Sequence, residues 1–273
     1  MTQRNNSLSV LPFYNKLEYQ HRFKPYAFGA VYPLIADTYS LISFQFSIPR
    51  INELYIDNTG RFIEKLSLVD VNTNRSINIL GTYSNLIRRY TSNDEDYIIY
   101  NATNTHKKLS EGQYYIVIEF VDSQKYYSEV ITLVNNIDDY LKVEWWDEEN
   151  LVFDSGSIIY NGFKNTLYID TNIGKPEYKF EEEGKERDGY FFAEKQLSEK
   201  VYKFIFLAPE FICDAFRFVR LSDNINIYKN GVHYTVDSLL AEVNWQDQGD
   251  LADVSVEFRT GTVVKKIAAA WPK

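Results

Sequence analysis

Alternation between apolar and polar residues is the feature that most constrains how this chain can fold. In the run Ile42–Pro49, apolar side chains occupy every second position, Ser and Gln lie between them, and a proline ends the run. A period of two places all the apolar side chains on one face of an extended chain, which predicts a β-strand with one buried face. Similar runs recur along most of the 273 residues. They predict a mainly β protein made of two β-sandwich-like domains.

The first sandwich is predicted over residues 38–138. Its clearest hairpin joins Tyr114–Val121 to Tyr126–Val134 across the polar residues Asp122–Lys125. A polar break follows at Asn135–Asp139, and the boundary to the second domain, residues 139–273, is expected there. The other strands predicted for the first sandwich are Glu53–Ile56, Phe62–Val71, Ser76–Leu80 and Tyr97–Tyr100. A turn at Asn72–Arg75 is predicted to join the second and third of these strands.

Residues 1–37 show neither helical nor strand periodicity and are predicted to form an extended N-terminal arm. Three prolines exclude a long helix here, while aromatic residues recur throughout the segment. Such a segment cannot bury its aromatic side chains by itself, so it either lies across its own domain or reaches a neighbouring subunit. The candidate subunit-contact residues are Phe13, Tyr14, Tyr19 and Tyr26 in this arm, and Trp271 in the C-terminal tail.

The second domain is predicted to open with the stretch Leu141–Asp154, which consists of a strand, a tight acidic turn and another strand. One amphipathic helix is expected to begin at Pro209, with Phe211, Ile212, Ala215, Phe216 and Val219 on its apolar face and Cys213 buried within it. Asn230-Gly231 predicts a tight hairpin between Asn224–Tyr228 and Val232–Val236. Leu239–Trp245 and Asp253–Arg259 are predicted to pair. The remaining predicted strands are Leu167–Asp170, Tyr178–Glu181, Gly189–Phe192 and Val201–Leu207, and the charged run Glu181–Asp188 is predicted to be a solvated loop.

Sequence motifs for catalysis, metal binding or cofactor binding were sought and none was found. The three histidines lie far apart in the sequence, without a nucleophile motif or metal-ligand spacing, and there is no Gly-rich phosphate loop. The sequence therefore predicts no enzyme, cofactor or metal. The stretch Glu144–Glu149 is predicted to place one tryptophan in the core and its acids on a solvated turn. The alternative is a ligand groove that involves Trp145, Trp146, Glu144 and Glu148, because tryptophan can stack on a sugar ring. A glycosidase is disfavoured, since its two carboxylates normally face each other from different strands.

The composition of the chain restricts the kinds of molecule to which it is expected to bind. The net charge is −9 without any basic cluster, which argues against binding to nucleic acid. The sequence contains one cysteine, no secretory signal and no apolar run near the roughly 20 residues of a membrane span, so the chain is expected to fold in a reducing cytosol without membrane contact. Aromatic residues are abundant, with 22 Tyr and 18 Phe, and tyrosine suits both strands and interfaces.

Several strings resemble those of virion structural proteins of tailed phages that infect gut Bacteroidetes, including crAss-like phages. The resemblance runs over most of the chain and is best in the second half. The strings are LPFYNKLEYQHRFKPYAFGAVYPLI (residues 11–35), VEWWDEENLVFD (143–154), GKPEYKFEEEGKERDGYFFAEKQLSEKVYKF (174–204) and WQDQGDLADVSVEF (245–258).

The resemblance implies a neck, tail-ring or baseplate component that forms a homo-oligomeric ring in the virion after assembly in the bacterial cytoplasm. Its partners would be other copies of itself and neighbouring virion proteins such as the portal, other ring proteins or the tail hub. No functional residue is carried over, because such a protein acts through contacts. The ring symmetry and the choice among neck, tail and baseplate stay open. The alternative function is a glycan- or receptor-binding β-sandwich module, borne by the virion or by the host.

Overall fold

The computed structural model describes residues 9–23, 32–51, 62–92, 94–152, 158–245, 250–261 and 264–267. Within these ranges the chain is mainly β, with a single α-helix in its C-terminal half, which confirms the predicted fold class. None of the described helices is long and apolar enough to cross a membrane. The predicted strand Glu53–Ile56 and the candidate contact residues Tyr26 and Trp271 lie outside the described residues.

Ten strands lie in the described part of the first half of the chain. They follow one another closely, as the short alternating runs predict, and β6 is a strand that the sequence reading missed. The strands are β1 (Phe13–Tyr14), β2 (Leu34–Asp37), β3 (Phe44–Pro49), β4 (Ile63–Asp70), β5 (Ser76–Asn78), β6 (Ile87–Ser92), β7 (Glu95–Tyr100), β8 (Gly112–Phe120), β9 (Lys125–Ser128) and β10 (Ile131–Val134).

Two sheets face each other in this half. The larger sheet has the strand order β1-β9-β8-β10-β2, with β4 and β5 on the other side of β8, and the smaller sheet has the order β3-β7-β6. Aromatic side chains fill the space between them: the ring of Phe13 stacks on Phe46 at 4.4 Å, and Phe46 contacts Tyr126 at 5.5 Å between ring centroids. This arrangement is the β-sandwich that the alternating runs predict.

The N-terminal segment, predicted to be an extended arm, lies across its own chain over residues 9–23 and 32–37. Strand β1 pairs with β9, and β2 lies parallel to β10, so both are strands of the larger sheet. Val10, Leu11 and Phe13 are buried. The segment packs within its own chain because its apolar side chains fill the sandwich and its backbone groups complete the sheet. Of the two alternatives, the described part of the segment follows the first.

Over the ranges that the structure describes, the second half contains ten further strands and the helix. Asn230 and Gly231 both have positive φ (51° and 74°) between β17 and β18, which confirms the predicted tight hairpin. The elements are β11 (Leu141–Trp146), β12 (Leu151–Val152), β13 (Ile158–Ile159), β14 (Asn165–Ile169), β15 (Glu177–Arg187), β16 (Tyr190–Pro209), α1 (Glu210–Phe216), β17 (Asn224–Lys229), β18 (Val232–Trp245), β19 (Leu251–Thr260) and β20 (Val264–Ile267).

Eight of these strands form one antiparallel sheet with the order β14-β11-β17-β18-β19-β16-β15, and β20 pairs with β16. Strand β18 pairs first with β17 and then, after a register shift between Val236 and Ser238, with β19. A bulge of this kind bends a strand, which lets one long strand serve both parts of the sheet. Strands β12 and β13 form a separate two-stranded sheet.

Helix α1 covers one face of the eight-stranded sheet. Phe216 makes edge-to-face contacts with Trp145 of β11 and Phe206 of β16, each at 5.6 Å between ring centroids. Pro209 precedes the first helical residue instead of being that residue, and Val219 lies in a short 3₁₀ turn after the helix. Cys213 is buried as predicted, and burial raises the pKa of its thiol to about 11, which keeps the thiol protonated.

The two halves pack directly against each other. Among the described residues, no strand of β1–β10 pairs with a strand of β11–β20, yet buried residues from both halves belong to the same hydrophobic cluster. The side chain of Gln45 bridges the junction: Nε2 donates to the Ile158 carbonyl at 2.6 Å, and Oε1 accepts from the Tyr160 amide at 3.1 Å. The ring of Tyr160 stacks on Tyr90 at 4.8 Å.

Adjacent tryptophans in β11 provide a test of this packing. Trp145→Ala should lower the free energy of unfolding by about 3–5 kcal/mol, because it removes a large side chain that is 1% exposed. Trp146→Ala should cost about 1 kcal/mol or less, because Trp146 points to the other face of the strand and is half-buried. Urea unfolding followed by circular dichroism measures both values. Equal losses in the two variants would contradict the assignment of Trp145 to the core.

Candidate functional site

The predicted groove between Trp145 and Trp146 does not exist. Side chains alternate along β11, so the two tryptophans point to opposite faces. Trp145 packs in the core against Phe216, whereas the ring of Trp146 lies 4.0 Å from the Nζ atom of Lys164. One tryptophan lies in the core, as first predicted, and strand geometry at these adjacent positions rules out the alternative groove formed by both rings.

The acidic side chains of the same stretch also lie apart, each with its own partners. Glu144 forms an ion pair with Lys142 at 2.6 Å, while Glu148 is exposed and its Oε1 atom accepts a hydrogen bond from Asn224 at 2.9 Å. Asp147 is buried and accepts from the Asp223 amide at 3.0 Å; burial, with the nearby charge of Asp223, raises the pKa of this carboxyl. Asp147 and Glu148 thus fix the turn after β11 to the start of β17, and β12 pairs with β13 instead of returning along β11.

The described candidate contact residues of the N-terminal segment already contact other residues of the same chain. Phe13 is 1% exposed, so its assignment to a subunit interface is wrong: it fills the sandwich. Tyr14 and Tyr19 are half-buried. The hydroxyl of Tyr14 donates to Glu129 at 3.3 Å, and the ring of Tyr19 lies 5.6 Å from the Nζ atom of Lys16.

A long antiparallel hairpin ribbon, which the sequence predicted only in part as the strands Tyr178–Glu181 and Gly189–Phe192, is highly exposed, and β20 pairs with residues 195–198 on its β16 edge. The ribbon consists of residues 177–187 of β15 and residues 190–201 of β16, paired in antiparallel register. Asp188 and Gly189 form its tip with φ values of 53° and 78°, as a two-residue turn between right-twisted strands requires. The run predicted to be a solvated loop lies mainly in β15. The dipeptide Asp-Gly is the signal that could have revealed this hairpin.

Pairing register, with a β-bulge between Glu183 and Gly184, places three aromatic side chains on one face of the ribbon, here named the aromatic face, which also carries Glu182, Glu186 and Lys200. On the aromatic face, Tyr178, Phe180 and Phe191 are 59%, 72% and 53% exposed. This face continues the core-facing side of β16, where Phe204 and Phe206 are buried. The opposite face carries alternating charges, with Lys195 beside Glu183 at 3.2 Å. The apolar face of the core sheet therefore extends beyond the layer that covers it.

Ion pairs hold the root of the ribbon against β19. Glu257 lies between Lys179, at 2.9 Å, and Lys203, at 3.5 Å, and Lys203 also pairs with Glu177 at 3.0 Å. The hydrogen bond from Lys179, together with the charges of both lysines, lowers the pKa of the Glu257 carboxyl. This network links β15, β16 and β19 where the ribbon meets the core sheet.

The free edge of β15 is protected by charged residues against pairing with another strand. Among the described residues β15 pairs only with β16, and its middle carries three consecutive glutamates, Glu181–Glu183. Like charges along an edge disfavour the addition of another strand, and so disfavour uncontrolled edge-to-edge association. The aromatic face, with its three exposed rings, is the part of the ribbon suited to a specific contact.

A second candidate site is a cleft of about 360 Å³ between the two halves, here named the inter-half cleft. It is lined by residues from segments scattered between positions 37 and 231, so no local sequence pattern could have shown it. Glu144 is the predicted groove residue that lines this cleft. Among the described residues, no group of three or more His, Cys, Asp or Glu side chains is arranged to hold a metal ion.

The ion pairs at the ribbon root predict a pH-dependent stability. Glu257→Gln should lower the free energy of unfolding at pH 7 by about 0.5–1 kcal/mol, with the difference fading at high salt. Because the folded-state pKa of Glu257 lies below its ordinary 4.5, this contribution is present above that value and is lost as the pH falls through the folded-state pKa. Urea unfolding at pH 7 and at about pH 2 measures it.

The matched control is Glu183→Gln, which removes an ion pair whose carboxylate side chain is 71% exposed on the outer ribbon. It should leave the free energy of unfolding unchanged within the error of the measurement at both pH values. A Glu257→Gln difference that stayed the same between pH 7 and about pH 2 would show that the carboxylate charge does not stabilise the ribbon root.

Comparisons with known proteins assign no family to this chain. A scan against protein-family models found no match, and searches of the curated proteins and of the solved structures found none either. The function is therefore argued from the ribbon, the inter-half cleft and the sequence resemblance.

Proposed function

We propose that the chain is a structural component of a tailed-phage virion, a ring-forming neck or tail protein that acts through subunit contacts. The observation that carries the proposal is the ribbon with its exposed aromatic face. An eleven-residue strand such as β15 spans roughly 35 Å, long enough to reach across a neighbouring subunit.

Exposure of three large rings on one face is unfavourable in water unless a partner covers them. Aromatic residues are enriched at the centres of protein interfaces, and each can bury roughly 150–250 Å². Tyr178, Phe180 and Phe191 together could supply a substantial share of the roughly 800 Å² that each partner contributes to a standard interface. The opposite face of the ribbon, which carries alternating charges, would stay in solvent or form the polar rim.

The opposite side of the core sheet offers a surface to receive the ribbon. Ile205 and Leu207 of β16 are 60% and 51% exposed there, and Leu240 of β18 lies exposed on the same face. This patch, the outer face, differs from the aromatic face of the ribbon. Contact between two different surfaces of identical subunits is heterologous and produces rings when the rotation closes. We infer that the ribbon of one copy binds the outer face of the next copy.

The sequence resemblance supports the virion setting of this ring. Proteins of the neck, tail or baseplate of tailed phages would provide the neighbours that the resemblance implies, namely the portal, other ring proteins or the tail hub. The ribbon segment lies largely within one of the resembling strings, residues 174–204. The proposed contact element and the proposed family likeness thus fall on the same part of the chain.

Two complementary variants test the heterologous contact. The ribbon variant carries Tyr178→Ser and Phe180→Ser; the face variant carries Ile205→Ser and Leu207→Ser. Multi-angle light scattering with negative-stain imaging should show oligomers or rings for the unchanged protein and monomers for either variant alone. An equal mixture should form dimers, because the intact outer face of the ribbon variant can still bind the intact ribbon of the face variant.

The matched control is Val152→Ser, which removes a 70% exposed apolar side chain on β12, outside both surfaces. It should assemble like the unchanged protein. A protein that stays monomeric at every concentration would contradict self-assembly into a ring. Variants that assemble normally would contradict the role of the ribbon, and a mixture that stays monomeric would contradict the pairing of these two surfaces.

A further inference from the structure

The inter-half cleft lies where small-molecule sites are often found, at the contact between two packed units. Its volume of about 360 Å³ falls within the roughly 300–1,000 Å³ that is usual for ligand pockets. Asp37, Ser40 and Asn104 line it from the first half. Tyr140 follows the boundary segment, and β11, β14 and β17 supply most of the remaining wall. A ligand bound here would contact both halves.

Tyrosine is the prominent side chain of the cleft wall. Tyr140, Tyr168 and Tyr228 all line it, and the side chains of Tyr228 and Glu144 are hydrogen-bonded. Burial raises the pKa values of Tyr168 and Tyr228, and the carboxylate of Glu144 adds to both shifts. Both hydroxyls therefore stay protonated, and that of Tyr228 is bonded to Glu144. One face of the Tyr228 ring stacks on His233 at 4.6 Å between ring centroids, so the apolar surface of the cleft comes mainly from Tyr140 and Tyr168.

The cleft wall carries charges of both signs, with the carboxylates of Asp37, Asp138 and Glu144 and the ammonium groups of Lys142 and Lys229. Lys142 forms its 2.6 Å ion pair with Glu144 and lies 5.1 Å from the ring centroid of Tyr228, so this cation already occupies the place that a cationic ligand would take. The excess of carboxylates over ammonium groups disfavours an anionic ligand, while the wall offers hydrogen-bond donors and acceptors of both kinds.

We propose that the inter-half cleft binds a neutral saccharide of one or two sugar units. The C–H face of a sugar ring matches apolar tyrosine surface, and its hydroxyls can donate to the carboxylates and accept from the ammonium groups that line the wall. The proposed site is separate from the ribbon and from Trp146. It is therefore independent of the assembly function, and either can fail without the other.

Saturation-transfer difference NMR with defined saccharides tests the proposal. The probes are maltose, cellobiose, lactose and N,N′-diacetylchitobiose, with glucosamine and N-acetylneuraminic acid as charged comparators, each at about 10 mM. At least one neutral saccharide should show saturation transfer. Glu144→Gln and Tyr228→Ala should each weaken its binding at least about tenfold, as expected when a hydrogen bond to a charged group or a ring contact is lost.

Two further variants test the same proposal if Glu144→Gln or Tyr228→Ala fails to fold. Asn104→Trp, on an exposed loop, should block the cleft without altering β11 or β17, and Trp146→Ala should leave binding unchanged. Thermal unfolding checks that each variant is folded. The proposal is overturned if no neutral saccharide binds, if only a charged comparator binds, or if binding survives Asn104→Trp. Loss of binding in Trp146→Ala alone would place the ligand at the acidic turn and would also overturn it.

Discussion

Continuous backbone pairing of β16 is the constraint on which the rest of this structure depends. From Val201 to Pro209 the strand pairs with β19 and buries Phe204 and Phe206 under α1, whereas from Tyr190 to Val201 it pairs with β15 outside that cover. Because one strand runs through both regions, the pleat of the core sets which side chains face which way in the ribbon as far as the β-bulge opposite Glu183 and Gly184, and the register shift there places Phe191 on the same face as Phe180. The buried part thereby fixes the exposed part, and the ion pairs of Glu257 hold the junction between them.

The two candidate sites arise from different levels of the structure. The ribbon is a local product of two long strands and an Asp188-Gly189 turn, and its rigidity comes from the sheet that it extends. The inter-half cleft exists because the first sandwich and the eight-stranded sheet pack directly against each other, through the same junction that Gln45 bridges. An assembly surface on a projecting element and a small-ligand site between packed units can coexist, since neither uses the residues of the other.

Sequence reasoning succeeded where local chemistry dictates the conformation. Alternation predicted strands such as β3, and Asn230-Gly231 predicted the β17–β18 hairpin because both residues accept positive φ. It failed for the charged part of β15, since a strand exposed on both faces has no hydrophobic period to reveal it. It also failed for Phe13: aromatic residues between prolines suggested an arm, but the two sheets leave a space that only this segment fills.

The sequence by itself determined the mainly β character, the site of the one described helix and the tight turns, because these follow from side-chain period and backbone preference over a few residues. Only the tertiary structure decided that Trp145 lies in the core while Trp146 does not, since alternation shows that adjacent residues diverge without showing which face is covered. Only the tertiary structure placed Glu144 beside Tyr168 and Tyr228 in a cleft, because contacts between distant segments depend on how whole sheets pack.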